Sequence, residues 1–416
     1  MGDRNAFFKK LFLGDLVIWL AIAVLLAVSF IEVYSSIQAM PLKYVKNGDF
    51  NGQFYKHIFL ELGGLASILL VVHIGVKRLF SSKFIVFIAL AAVVSVIFLW
   101  ATMAFGAMVN GARRTLFGIQ WSEAVKVFYV IFLAFWIGKY STPKGLSPTK
   151  AGWWVLLGVY VVSILPIGAE NLSGLILLTA VSFCMLLTGG IQAKPFMKII
   201  GLFLGLGLTL GVVGKTVPAE LLEGTPLHRL HTWVSRVEKS IVGGKTEEDD
   251  PKLNFVVTDE NYQVSHAKMA VSGGGVVGKG PAAGRERYRL PQAFSDYIFS
   301  IILEELGLIV GLLLIFSYLC ILWRSVMIAY KSESMVYAMM TIGCSLLIFL
   351  QAVINMSVGV ALGDFVTGQP LPFVSKGGTS IFMTGILFGI IISVSAHVKT
   401  LQNRAKSKAA LEVVAE

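Results

Sequence analysis

The chain has 416 residues, 56% of them hydrophobic and only 14% charged, with a mean hydropathy of +0.77. A soluble globule carries roughly a quarter charged residues, so this composition excludes one and puts the chain in a bilayer. The net charge of +11 is accounted for by topology signals and attraction to anionic lipid, and no nucleic-acid partner is expected.

A membrane-crossing helix needs about 20 apolar residues. Ten runs approach that length, at residues 11–34, 57–76, 84–105, 122–138, 153–167, 172–188, 195–213, 297–323, 335–362 and 378–397, the fifth and sixth being short. They predict an all-α integral membrane protein, one transmembrane domain over 1–416 with about ten transmembrane helices. The first run is long for a cleavable signal and lacks a small-residue cleavage site, so it reads as a retained anchor. Arg4, Lys9 and Lys10 precede it; Lys77 and Arg78 follow the second run, Lys139, Lys144 and Lys150 the fourth, and Lys194 and Lys198 the sixth. Arg324 and Lys331 follow the eighth, and a basic tail, 398–416, carries Lys399, Arg404, Lys406 and Lys408. Basic loops stay inside, so both termini are expected in the cytoplasm and the segment 214–290 outside, between the seventh and eighth runs. Cys184, Cys320 and Cys344 lie within runs and predict neither a disulfide nor a metal site. His228 and His231 lack the partners a zinc site would need.

Between the third and fourth runs lies NGARRTLFGIQWSEAVK. Arg113 and Arg114 sit there against the charge rule, which points to an anionic ligand rather than topology. Glu123 and Lys126 follow at a spacing that shares one helix face; they serve a site or simply neutralise each other. In 214–290, Leu230, Trp233, Val234 and Val237 have helical spacing and predict an amphipathic interfacial helix. The glycine-rich VSGGGVVGKGPAAG imitates a nucleotide loop, but Gly280 stands where Ser or Thr would be required, and no strand and helix frame it. Few apolar runs interrupt this segment, so it is expected to fold back on the membrane domain or on a partner.

At Asp296, between Phe294 and Tyr297, a polar stretch turns into the eighth run, and Glu304 and Glu305 follow. A carboxylate at a membrane boundary is expensive to keep and marks a functional candidate. The alternative is a helix cap. Arg287 and Arg289 are the nearby cations expected to hold it ionised. Between the ninth and tenth runs, GDFVTGQPLPFVSKGGTS carries Pro370 and Pro372, which break a helix, and Gly377 and Gly378, which allow close approach. Irregular backbone at that depth requires a protein-lined or wet cavity, here bordered by the Arg113 loop, Asp296, Ser375 and Lys376.

LPQAFSDYIFSIILEELG resembles the Leu-Pro-Glu-x-x-x-Asp-Phe-Ile-Phe and Glu-Glu-x-Gly signature of the SEDS (shape, elongation, division and sporulation) family. NGARR with SEAVK, NYQVSHAKMAVSGGGVVGKG, and LPFVSKGGTS are similar to three further motifs of that family, in the same order. The departures are Gln292 for a glutamate, Trp121 for a proline, Lys376 for a tyrosine, a shortened stretch from Arg114 to Glu123, and PIGAENLSG, with Glu170, where an acidic Pro-Asp-x-Gly motif is usual.

The resemblance implies a peptidoglycan glycosyltransferase that polymerises lipid II at the outer face of the cytoplasmic membrane. Asp296 is then the general base. Arg113, Arg114, Lys126 and Lys376, with Glu123 and Ser375, form the substrate-binding set around a leaving pyrophosphate. A divalent ion such as Mg or Mn is an alternative source of that charge. The basic tail and TGQPLPFVSKGGTS resemble the division branch more than the elongation branch, which implies a septal location. The expected partners are a class B penicillin-binding transpeptidase and other divisome membrane proteins. Two other classes share the composition: a lipid II flippase, which needs charge through the midplane, and a non-catalytic scaffold in which Asp296 is structural.

Overall fold

The computed structural model describes residues 12–39, 49–109, 112–217, 234, 257–258, 261–362 and 369–415. Asp15 starts the first helix, α1 (Leu16–Gln38), by accepting the Val17 N–H at 2.9 Å, and the same carboxylate pairs with Arg324 much later in the chain. Asp49 does likewise for α2 (Phe50–Ile74), through the Gly52 N–H at 2.8 Å. A short turn of helix, α3 (Val76–Leu79), leads into α4 (Ser82–Phe105), which buries only Ser95, Leu99 and Thr102 and presents apolar side chains around the rest of its surface.

An antiparallel hairpin, β1 (Ala107–Val109) and β2 (Ala112–Thr115), joins α4 to α5 (Trp121–Tyr140). Trp121 begins α5 and stacks on Phe98 of α4 with ring centroids 4.5 Å apart, which closes the loop against the bundle. A second small hairpin, β3 (Ser141–Thr142) and β4 (Gly145–Leu146), precedes α6 (Lys150–Glu170), α7 (Leu172–Thr188) and α8 (Ala193–Thr216). After the large loop come α9 (Tyr262–Gly274), a 3-10 turn at Glu286–Tyr288, α10 (Ile298–Glu305), α11 (Gly307–Tyr330), α12 (Met335–Gly359) and α13 (Gly378–Ala415).

All ten predicted runs fall on helices. Among the described residues eight helices are long and apolar enough to cross a membrane, namely α1, α2, α4, α5, α6, α11, α12 and α13; α7 is a shorter apolar helix. The core lies where α12 packs on α5, α7, α11 and α13, and where α13 runs along α2. There Gly385 approaches the α2 backbone so closely that a Cβ would stand 2.4 Å from the Gly64 carbonyl oxygen, the small-residue contact typical of packed membrane helices.

The eighth run corrects the expectation of one continuous helix. It is divided between α10 and α11 at Gly307, whose φ of +80° and lack of a Cβ admit the glycine-rich loop into the break. Lys279 and Gly280 donate their N–H groups to the carbonyls of Glu304 and Glu305 at 3.0 and 2.8 Å, and Leu308 N–H reaches the Gly275 carbonyl at 3.1 Å. Backbone groups that a broken helix would orphan are satisfied by the loop. The glycines that imitate a nucleotide loop thus have a structural use. The predicted amphipathic segment around Trp233 and the linker after it, apart from Val234, lie outside the described residues, as do 1–11, 110–111 and 363–368.

Candidate active site

Asp296 sits on a tight turn between the glycine-rich loop and α10. The Gln292 carbonyl accepts N–H bonds from Ser295 and Asp296 at 3.0 and 3.2 Å, with Gln292 itself at φ +60°. A non-glycine residue held in that region is strained and has to be over-determined by its surroundings. Two side chains do this. Asn355 of α12, fully buried, donates its Nδ2 to the carbonyls of Ser295 (3.2 Å), Asp296 (3.2 Å) and Gln369 (2.8 Å). Ser375, also buried, donates Oγ to the Ser295 carbonyl at 2.9 Å and accepts the Leu371 N–H at 2.7 Å. The turn that carries Asp296 is therefore stitched to the proline-broken 369–376 segment.

The Asp296 carboxylate accepts a bond from the Ser295 hydroxyl at 3.2 Å. It does not cap a helix: α10 begins at Ile298, with Tyr297 at the cap position and no side-chain cap bond. Burial pushes its pKa up from the ordinary 3.8 to about 6, against the lowering influence of Arg114 and of the Ser295 hydroxyl. Arg287 and Arg289 do not supply that cation, contrary to the expectation from sequence proximity. Arg287 lies buried against Ser35 and Glu305, and Arg289 pairs with Glu286 at 3.2 Å. Arg114 arrives from β2, some 180 residues earlier in the chain.

Arg114 also borders a narrow polar cleft lined by Gln120, Ser122, Glu123, Lys126, Glu170 and Gln369. Within it Glu123 and Lys126 form the expected pair at 2.7 Å, nearly excluded from solvent, and Lys126 donates to Gln369 Oε1 at 3.2 Å. Glu170 hydrogen-bonds with Ser122 and feels the charges of Arg114 and Lys126. Arg113 is placed differently: it is exposed and donates to the carbonyls of Met103 and Ala104 at the end of α4. Lys376 stands at the opposite end of the 369–376 segment. Its N–H donates to the Phe294 carbonyl at 2.9 Å, its Nζ lies 5.2 Å from the Phe294 ring centroid, and it donates to Gln53 Oε1 at 3.0 Å.

Glu304 and Glu305 are occupied. Glu304 binds Lys279 at 2.6 Å and the N–H groups of Arg285 and Glu286; Glu305 accepts from Ser35 Oγ at 2.6 Å and from the N–H groups of Ala282 and Gly284. They clamp the glycine-rich loop and leave Asp296 as the carboxylate at the turn. Asn355 and Gln369 were missed from sequence, although Asn355, an amide within the ninth apolar run, is itself a signal, because it has to find partners there. Among the described residues no group of three or more His, Cys, Asp or Glu side chains converges on one point; the cationic side chains lining the cleft are Arg114 and Lys126.

Residues 15–400 match the family model for cell cycle proteins of the FtsW, RodA and SpoVE type. The chain belongs to that family, and the SEDS resemblance of its motifs is borne out. It is 26% identical to a probable peptidoglycan glycosyltransferase FtsW of Geobacter metallireducens, over 92% of this chain and 95% of that one. It is 27% identical to the peptidoglycan glycosyltransferase MrdB of Escherichia coli, over 74% of this chain and 78% of that one. The fold is that of a chain in a solved peptidoglycan synthase complex that coordinates polymerization and crosslinking, with a TM-score of 0.67, 17% identity, and coverage of 92% of this chain and 98% of the other.

Proposed function

We propose that this membrane protein polymerises lipid II into glycan strands, with Asp296 as general base. The observation that carries the reading is a carboxylate at a pinned, strained turn that caps nothing, has its pKa raised to about 6, and shares Arg114 with a polar cleft that also holds Lys126. The acceptor sugar's 4-hydroxyl oxygen forms a bond to the donor's anomeric carbon while the bond from that carbon to the lipid pyrophosphate breaks. Asp296 takes the hydroxyl proton, and the leaving pyrophosphate keeps the electron pair and develops its charge towards Arg114 and Lys126. A single displacement inverts the anomeric centre. The family relatives named as peptidoglycan glycosyltransferases support the activity.

In this reading Asp296 and the cleft face the outside, both termini are cytoplasmic, and the product strands pass to a class B penicillin-binding transpeptidase at the division septum. Single cysteines at Lys144 and Lys245 test the topology with an impermeant thiol reagent: labelling of the first but not the second refutes it. For the chemistry, purified protein is given lipid II. Asp296→Asn should lower the polymerisation rate about 10²- to 10⁴-fold while remaining folded. Wild-type rates from that variant would remove Asp296 from the mechanism, and transbilayer movement without glycan strands would favour a flippase.

A further inference from the structure

The 369–376 segment turns backbone carbonyls into the bundle, and side chains of three helices take them up. Asn355 and Gln351 of α12 donate to Gln369 at 2.8 Å and Pro370 at 3.0 Å, Tyr318 of α11 to Pro372 at 2.6 Å, and Ser29 of α1 to Val374 at 3.0 Å. Irregular backbone inside a membrane protein has to be satisfied in this way. The Ser29 hydroxyl is itself held by an ionisable side chain. Fully buried, it lies 3.1 Å from Nε2 of His57 on α2, and that nitrogen lies 3.1 Å from Oε1 of Glu61, one turn further along α2. A carbonyl only accepts, so the single Ser29 proton is committed to Val374, and His57 donates its Nε2–H to the Ser29 oxygen. Glu61 favours the same tautomer, since a lone pair on Nε2 would face its carboxyl oxygen. His57 Nδ1 is buried with no hydrogen-bond partner among the described residues, which makes it the nitrogen that goes without a proton. Other buried serines of the helices turn their hydroxyls back on their own helix, as Ser95 does on Ala91, Ser182 on Leu178 and Ser325 on Ile321. Ser29 is diverted from that habit to another element.

A buried imidazole and carboxyl within a bilayer are expensive to keep, and neither lines the polar cleft. What they reach is the Asp296 turn. The Val374 carbonyl belongs to the peptide bond that precedes Ser375, and Ser375 Oγ donates at 2.9 Å to the carbonyl of the peptide bond that precedes Asp296. The segment needs holding, because Phe373 beside Val374 has φ +57°, a conformation that a non-glycine residue keeps only where its surroundings over-determine it. We propose that His57, kept in its Nε2–H tautomer by Glu61, is a positioning residue for Asp296 and acts through Ser29, Val374 and Ser375. Asn355 holds the turn from α12; His57 holds it from α1 and α2. The kinetic consequence rests on the polymerase reading, whereas the geometry that His57 enforces does not.

The test uses the full chain in nanodiscs and two readouts. Hydrogen–deuterium exchange in 292–296 and 371–376 follows the turn and the segment that pins it, and lipid II turnover follows the consequence. Ser29→Ala and His57→Leu should each speed exchange in both stretches about tenfold, with the loop at 278–286 unchanged. Each should lower kcat about 10- to 10²-fold with KM retained. The double variant should be no worse than either single one, because the two residues act in one chain. His57→Gln, whose amide nitrogen can stand where Nε2 does and donate to Ser29, should restore both readouts, and should fail to do so when Ser29→Ala is added. Exchange unaltered by Ser29→Ala and His57→Leu, exchange quickened evenly over all the helices, a glutamine variant as impaired as the leucine one, or additive losses in the double variant would each overturn the proposal. If the unsubstituted protein makes no glycan, the polymerase reading falls, while the exchange pattern and its rescue by glutamine still decide whether His57 holds the turn.

Discussion

Asn355→Leu keeps the branching and heavy-atom count of a fully buried side chain and removes its three hydrogen bonds to the carbonyls of Ser295, Asp296 and Gln369. The Ser295 carbonyl retains the Ser375 hydroxyl at 2.9 Å; the other two lose their Asn355 donor. A buried carbonyl deprived of its donor costs about 1–3 kcal/mol, so the intact turn would be destabilised by roughly 2–6 kcal/mol. Much of that cost is avoided if the turn relaxes, and relaxation moves Asp296. A displacement of about 1 Å at a reacting group is worth about 10²-fold in rate. The expected outcome is a folded protein whose initial rate of lipid II polymerisation falls about a hundredfold while its melting temperature falls by several degrees. The pH profile separates positioning from general damage. If Asp296 moves away from Arg114, the acid limb of the profile shifts to higher pH; a merely unstable protein loses amplitude with the limb unmoved. A Leu variant with the wild-type rate and profile would refute the role given to Asn355.

Because Asp296 must be ionised to accept a proton and its pKa is about 6, the polymerisation rate should fall as pH drops through 6. Arg114→Gln, by removing a lowering charge, should move that limb upward. The same carboxyl, raised in the fold from 3.8 to about 6, favours folding below 3.8 and loses that contribution as pH rises through 6. Asp296→Asn should therefore be more stable than wild type at pH 7, by about 1–3 kcal/mol, with the gain shrinking towards pH 4 in paired thermal melts. Gly307→Ala places a Cβ 2.4 Å from the Gly278 nitrogen at a φ of +80°. It should expel the glycine-rich loop and give little folded protein in size-exclusion profiles, whereas Gly201→Ala, with open space around the added Cβ, should not.

The helices were legible because a bilayer imposes one length on each apolar run, and that constraint is local. The break at Gly307 was not, because what fills it, Gly275 to Gly280, lies about thirty residues earlier, and nothing within 297–323 announces a missing turn. The Glu123 and Lys126 pair was legible for the same local reason, a three-residue spacing on one face. Proximity in sequence misled at the site itself. Arg287 and Arg289, the cations nearest Asp296 along the chain, are held by Glu305 and Glu286, carboxylates that secure the loop. With those taken, the charge that acts on Asp296 comes from Arg114 on a short hairpin whose same strand rests on α4 through the adjacent Arg113. The Asp296 carboxylate is thus fixed in position by α12 through Asn355 and influenced in charge by β2 through Arg114, two elements that sequence reading treats as unrelated. A shift of the hairpin relative to α12 would change the basicity of Asp296 without moving its backbone, so under the proposed role of Asp296 the length of the Arg114 to Glu123 stretch would bear on the pH at which that carboxylate accepts a proton.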